Sequence, residues 1–122
     1  EFSVTHRDGF YSYDAKYVDE GGVVMRIPAE LSAEQTAEVQ RLSLQTFEAL
    51  GCEGLSRVDF FLDAAGQVYC NEINTLPGFT AISMYPKLFE HAGIGPRELV
   101  SRLIDLAIER HERRKRLRTT AR

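Results

Sequence analysis

The sequence has little with which to cross-link itself, bind zinc or enter a membrane. Two cysteines, Cys52 and Cys70, occur in 122 residues. They are too few for a disulfide framework and are not spaced as a CxxC metal site. No apolar run approaches the roughly 20 residues of a membrane span. No signal-peptide pattern opens the chain, and there are no internal repeats. These absences lead to the expectation of a reduced, cytoplasmic protein without a membrane partner. Neither sign of charge dominates, with a formal net of −3, but charge is unevenly spread. Residues 110–122 carry seven Arg/Lys against one Glu, about +6, which leaves about −9 on the rest. An acidic body does not suit a nucleic-acid partner. The basic end is expected to be a solvated helix end or tail.

What is present suits one globular domain: 43% apolar and 27% charged residues. EFSV at the start reads as a strand with no near partner, THRDG as a turn, and FYSYDAKYVDEGG as a loop. GGVVMRIPAE reads as a short strand entering a Pro-marked turn. A helix is predicted over 33–50, with Ser32 as N-cap and Gln35 completing a capping box. Ala33, Ala37, Leu44, Phe47 and Leu50 would form its apolar stripe, and Gly51 would stop it. SRVDFFL (56–62) and QVYCNEIN (67–74) read as two strands joined by Asp63–Gly66. A Gly/Pro loop, TLPGFTAIS, then leads to a helix near 84–92 ended by Gly93. A last helix over 96–110 starts at Pro96 and has its stripe at Leu99, Leu103, Leu106 and Ala107. The fold expected is α/β (α+β): a small antiparallel sheet with helices 33–50 and 96–110 on its apolar face, and a core at Phe47, Phe60 and Leu103.

The hairpin holds the chemistry. Strand side chains alternate, so Arg57, Asp59 and Phe61 share a face, as Cys70, Glu72 and Asn74 do on the other strand. Pairing Leu62 with Gln67 would set Asp59 opposite Cys70 and Arg57 opposite Glu72, with Glu72 diagonal to Asp59. Val58, Phe60, Leu62, Tyr69 and Ile73 would then face the core, and Val68 would be an exception on the polar face. Two carboxylates and an amide oxygen are hard donors suited to Mg²⁺ or Mn²⁺ with phosphate oxygens completing the shell. The alternative is a surface hairpin whose acids are scattered, some paired to Arg57. Without a cation the two carboxylates would repel, so neutralising either is expected to stabilise the metal-free fold slightly. Gly78, in the loop directly after the second strand, would let a backbone N–H approach a ligand and stabilise an oxyanion, or it is an ordinary turn glycine.

FYSYDAKY (10–17), RVDFFL (57–62) and NEINTLPGFTAISMYPKL (71–88) resemble the C-terminal part of the D-alanine–D-alanine ligases, within the ATP-grasp fold. The acids Asp59 and Glu72 stand thirteen positions apart in these motifs. The resemblance implies an ATP-grasp C-terminal lobe over 1–109, with 1–28 forming a strand and mobile loop, and 110–122 as a basic end. It implies ATP as cofactor, two Mg²⁺ or Mn²⁺ ions, and D-alanine as substrate. ATP phosphorylates one D-alanine carboxylate, and the amine of a second attacks the acyl phosphate, in peptidoglycan precursor synthesis. By resemblance the metal ligands are Asp59, Glu72 and Asn74. Arg57 steadies the acyl phosphate, and Gly78 offers its N–H to the oxyanion. Ser83 and the Met84 backbone hold the second substrate's carboxylate. Lys16 reaches the ATP phosphates, and Tyr17 helps close the loop that carries it. Phe10, Phe61 and Asn71 lie beside the nucleotide, and Glu1 binds its ribose. Read without the family, Lys16 is a solvated lysine, Ser83 a helix N-cap, and Tyr17, Phe10 and Phe61 packing residues.

The resemblance runs from Glu1 to about Leu106. It omits the family's N-terminal domain and most of its central domain, which supply a first-substrate site and the lysines that clamp ATP. Those domains are therefore the expected partners, with a homodimer left open, and the 122 residues alone are expected to be inactive. Two other readings use the same residues: a non-catalytic relic or nucleotide/metal-binding module of the same fold, and an ATP-grasp ligase making another D-alanine-containing product such as a depsipeptide.

Overall fold

In the computed structural model the described residues are 2–4, 23–80 and 82–117. Glu1, Phe10, Lys16 and Tyr17 lie outside them. The chain divides into two units, residues 1–32 and 33–122. In the first, β1 (Phe2–Val4) pairs antiparallel with β2 (Val23–Met25), Ser3 opposite Val24. The strand at the start thus has a partner about twenty residues on.

The second unit begins with α1 (Ala33–Ala49). Gly51 takes φ +62°, and the amides of Gly51 and Cys52 bond back to Glu48 and Phe47, closing the helix as its sequence predicts. The buried face of α1 differs from the expected stripe. Leu44 and Leu50 are exposed, as are Ala33 and Ala37, while Val39, Leu42, Ser43, Thr46 and Phe47 are half-buried. The packing face therefore lies on another side of the helix and includes small polar residues. Thr46 Oγ1 lies 3.8 Å from Cys70 Sγ, so the helix meets the sheet partly through hydroxyl and thiol groups that an apolar count passes over.

Strands β3 (Arg57–Leu62) and β4 (Val68–Asn74) form the second antiparallel hairpin, and α1 packs on both. Its register corrects the expected one. Leu62 pairs with Val68, not Gln67, because the connection closes on Ala64–Gly66. Asp63 N–H donates to Gln67 O, Gly66 N–H donates to Asp63 O, and Gly66 takes φ +83°. This is the three-residue hairpin with a left-handed glycine at its end. Asp63 Oδ1 also accepts from the amides of Ala65 and Gln67, at 2.9 Å each.

A second irregularity follows. Phe60 pairs with Cys70 but Asp59 pairs with Glu72, so Asn71 is an extra, bulged residue. The bulge resets the alternation of β4. Val68, Cys70 and Ile73 share the helix-facing side with Val58, Phe60 and Leu62. Tyr69, Glu72 and Asn74 share the other side with Arg57, Asp59 and Phe61. Val68, expected as a misfit on the polar face, is 7% exposed and part of the core, whereas Tyr69, expected inside, is 53% exposed. Cys70 leaves the polar face.

After the hairpin come α2 (Met84–His91) and α3 (Pro96–Lys115), which pack on each other. Pro96 opens α3 after Gly95, as its position predicts. The helix runs five residues past the expected end, and Arg110 and Arg113 both ion-pair with Glu53. Its packing against α2, rather than on the sheet face, corrects the expected placement. Phe47, Phe60 and Leu103 are half-buried, not the core's centre. Among the described residues the buried hydrophobic side chains are Val68, Tyr85 and Leu99.

Candidate functional site

The exposed face of the hairpin sets three cross-strand pairs in a row: Arg57 opposite Asn74, Asp59 opposite Glu72, and Phe61 opposite Tyr69. Directly opposed side chains on one face have Cβ atoms about 4.5–5.5 Å apart. The bulge thus brings the two acids closer than the diagonal placement expected from unbroken alternation.

Arg57 already occupies the space between the charges. Its Nε donates to Asp59 Oδ1 at 2.7 Å and its Nη2 to Asp59 Oδ2 at 2.7 Å, a bidentate pair in a partly buried setting. The same Nη2 lies 3.5 Å from Glu72 Oε1. For Asp59 this corrects the expectation that neutralising an acid would stabilise the fold. Asp59 is held by a guanidinium, so losing its charge removes a favourable pair, whereas Glu72 is more loosely held. The trio Arg57, Asp59 and Glu72 retains one net negative charge.

No group of three or more His, Cys, Asp or Glu residues that could hold a metal occurs among the described residues. The oxygen donors here are two carboxylates and the Asn74 amide. Asn74 Oδ1 accepts the Leu76 amide at 3.0 Å, which starts the following loop. Each of these oxygens has more than one lone pair, so the hydrogen bonds described leave capacity for a cation. Hard, partly exposed oxygens with one net negative charge fit a small divalent ion that keeps several other ligands.

The loop after β4 is anchored by aromatic packing. The Phe79 and Tyr85 ring centroids are 5.5 Å apart, and those of Tyr85 and Phe89 are 5.0 Å apart. Tyr85 is buried, and that burial raises the pKa of its phenol. Gly78 does not need a left-handed backbone here. What requires glycine is space: a Cβ at that position would lie 2.8 Å from Ser83 Oγ. Ser83 stands at the N-cap of α2, but its hydroxyl makes no cap bond. It bonds instead to Thr80, whose amide donates to Ser83 Oγ at 3.0 Å and whose Oγ1 lies 2.9 Å from the same atom. Met84 is the first residue of α2, and Asn71 is the exposed bulge residue. A cleft of about 610 Å³ lined by Phe47, Leu55, Leu103 and Arg110 contains none of these groups.

The structure therefore assembles Arg57, Asp59, Phe61, Glu72 and Asn74 on one face, and Gly78 with Ser83 in the next loop. Tyr69 and Thr80 were not singled out from the sequence. A three-residue reading of the Asp63–Gly66 turn would have turned Tyr69 outward. No pattern in the sequence signals the bond between Thr80 and Ser83.

A profile of the family described as D-ala D-ala ligase C-terminus matches residues 2–105. The chain belongs to this D-alanine–D-alanine ligase family. It is 54% identical over 114 residues to the D-alanine–D-alanine ligase of Shouchella clausii, covering 93% of this chain and 31% of that protein. It is 50% identical over 111 residues to D-alanine–D-alanine ligase A of Salmonella typhimurium, covering 91% and 30%. Among solved structures, the D-alanine–D-alanine ligase from Coxiella burnetii matches with a TM-score of 0.70 at 44% identity, over 71% of this chain and 25% of that one. The Bacillus anthracis ligase complexed with ATP matches with a TM-score of 0.65 at 35% identity, over 70% and 30%. The chain thus spans about 30% of the length of the curated ligases it matches. No helix among the described residues is long and apolar enough to cross a membrane.

Proposed function

We propose that this chain is the metal- and ATP-phosphate-binding C-terminal part of an ATP-dependent D-alanine–D-alanine ligase that works in peptidoglycan precursor synthesis, together with N-terminal and central domains like those of its longer relatives. The observation that carries the reading is the bulged hairpin, which opposes Asp59 to Glu72 under Arg57 immediately before the Gly78 loop.

Asp59, Glu72 and Asn74 hold Mg²⁺ or Mn²⁺. The ions, when bound, neutralise phosphate charge and align the γ-phosphoryl group. The remaining steps fall to the chain's own groups. By the family resemblance, Phe10, Phe61 and Asn71 serve the nucleotide, Glu1 its ribose, Lys16 the ATP phosphates, and Tyr17 the loop that carries Lys16. The carboxylate oxygen of the first D-alanine attacks the γ-phosphorus, ADP leaves, and an acyl phosphate forms. Arg57, a planar cationic donor, steadies that acyl phosphate. Ser83 and the Met84 amide hold the carboxylate of the second D-alanine so that its amine faces the acyl carbon. The Gly78 N–H stabilises the oxyanion as the amine adds, and inorganic phosphate then leaves with formation of the peptide bond.

The test is phosphate release from ATP and D-alanine. Residues 1–122 alone are expected to release none above background. The same residues joined to the N-terminal and central domains of a relative such as the Shouchella clausii ligase should turn over and yield D-alanyl-D-alanine. Strong turnover by the isolated chain would overturn the division of labour, and a folded but inert fusion would favour a non-catalytic module.

A further inference from the structure

We propose that Thr80 is a positioning residue for substrate binding: it fills both acceptor sites of the Ser83 hydroxyl and so turns the Ser83 proton outward to the carboxylate of the second substrate. This inference rests on the proposed role of Ser83 and adds a residue to it.

Three contacts link the two residues. Ser83 N–H donates to Thr80 O at 2.9 Å, which closes the turn. Thr80 N–H donates to Ser83 Oγ at 3.0 Å. Thr80 Oγ1 and Ser83 Oγ lie 2.9 Å apart. A serine hydroxyl has one proton and two acceptor lone pairs. The Thr80 amide takes one lone pair. If the Thr80 hydroxyl donates as well, the second is taken, and the only capacity left on Ser83 is its own O–H. That group must then find an acceptor outside the loop. A hydroxyl that accepts two hydrogen bonds is also polarised into a stronger donor. An anionic carboxylate is the acceptor that gains most from it, since charge-assisted hydrogen bonds are roughly twice as strong as neutral ones.

The alternative proton arrangement, Ser83 donating to Thr80 Oγ1, would leave a lone pair facing outward and repel a carboxylate. The surroundings favour the first arrangement once an anion is present, because only that arrangement offers it a donor. Two features keep the hydroxyl from drifting out of this geometry. The side chain makes no N-cap bond to α2 that would compete for its oxygen. Gly78 leaves open the space that Ser83 Oγ fills, where a Cβ would sit 2.8 Å away. The Phe79–Tyr85 contact ties the residue before Thr80 to α2, so Thr80 is carried on an anchored segment.

The experiment uses a full-length ligase whose C-terminal part is this chain, with Ser83→Ala, Thr80→Val, Thr80→Ser and the double variant Thr80→Val/Ser83→Ala. Thr80→Val keeps the branched shape and the amide but loses the hydroxyl. It is expected to raise the KM for D-alanine at the second site about tenfold, the size of one lost hydrogen bond of about 1.4 kcal/mol, with the KM for ATP unchanged. Thr80→Ser should restore most of the loss, and Thr80→Val should add nothing once Ser83 is alanine. A general structural role would instead shift both KM values and persist in the double variant. If Ser83→Ala leaves the D-alanine KM unchanged, the role of Ser83 is wrong and the inference falls with it. If Ser83→Ala raises that KM but Thr80→Val does not, the Ser83 reading stands and the role of Thr80 is overturned.

Discussion

The hairpin and the glycine loop build their parts of the proposed site by opposite means. In the hairpin, backbone pairing decides which side chains meet: a three-residue turn and one bulge set Asp59 against Glu72, and Arg57 then joins them. In the loop there is no ladder. Ser83 is placed by side-chain hydrogen bonds to Thr80, by the missing Cβ of Gly78, and by aromatic contacts to α2. Charges are thus held by a repeating backbone pattern, and a hydroxyl by individual contacts. Damage to the hairpin's outward face should alter chemistry more than folding, while damage to the loop's anchors should alter both.

The largest stability effect is expected from Tyr85→Ala. It removes a buried ring that touches Phe79 and Phe89 and should cost about 3 kcal/mol, read from the denaturant midpoint. Amide exchange should speed up around Phe79 and Thr80 but not in β3 and β4. Equal loosening of both regions would erase the contrast between hairpin and loop.

Next is Gly78→Ala, which forces a Cβ against Ser83 Oγ and should cost about 1–2 kcal/mol, as overpacking does. The partner test is sharper. In a Ser83→Ala background the nearest remaining Ser83 side-chain atom is 3.6 Å from that Cβ, an ordinary contact. The cost should largely vanish there, and a double-mutant cycle measures this directly. A cost that persists would mean that Gly78 is needed for something other than space.

In the hairpin, Asp59→Asn should lower stability by about 1 kcal/mol through loss of the bidentate Arg57 pair, whereas Glu72→Gln, with only the longer 3.5 Å contact, should change it by less than about 0.5 kcal/mol. Thermal melts in metal-free buffer would show the ordering. Equal effects would mean that Arg57 serves both acids alike.

The smallest effect is the alkaline one. Burial raises the Tyr85 pKa above the ordinary phenol value, so the neutral form is favoured in the fold. That contribution is complete below about pH 10, where the unfolded phenol ionises, and it fades as the pH climbs through the folded value. Tyr85→Phe should remove this alkaline fall and little else, as melts at rising pH would reveal.

Much of this arrangement was legible in the sequence, for physical reasons that differ by element. Gly51 and Pro96 act through local backbone preferences, so the end of α1 and the start of α3 could be read from single residues. The acid-bearing face followed from alternation on β3, where nothing interrupts it. On β4 the same rule failed at Asn71, because a bulge is settled by pairing between strands. The three-residue turn, by pairing Leu62 with Val68, moved Cys70 and Tyr69 to the other faces, and the bulge returned Glu72 and Asn74 to the acid face. Val68 had already signalled the fault, since an apolar residue on a charged face is what a missed register shift produces. The packing side of α1 was missed because it includes Ser43 and Thr46 and leaves Leu44 exposed. The contact between Ser83 and Thr80 depends on side-chain geometry that no periodicity encodes.

The most direct test of the hairpin's proposed role is the Mg²⁺ dependence of turnover in a full-length ligase carrying this chain, compared with its Asp59→Asn and Glu72→Gln variants. Each substitution keeps size but removes one negative charge from the cation's surroundings and turns one acceptor oxygen into a donor NH2. Turnover should fall about 100-fold or more at saturating D-alanine and ATP, as the loss of several kcal/mol of transition-state charge stabilisation requires. The Mg²⁺ concentration for half-maximal activity should rise for both variants, even though only Asp59→Asn weakens the fold appreciably. Near-normal turnover by either variant at limiting Mg²⁺ would contradict the metal assignment at that residue.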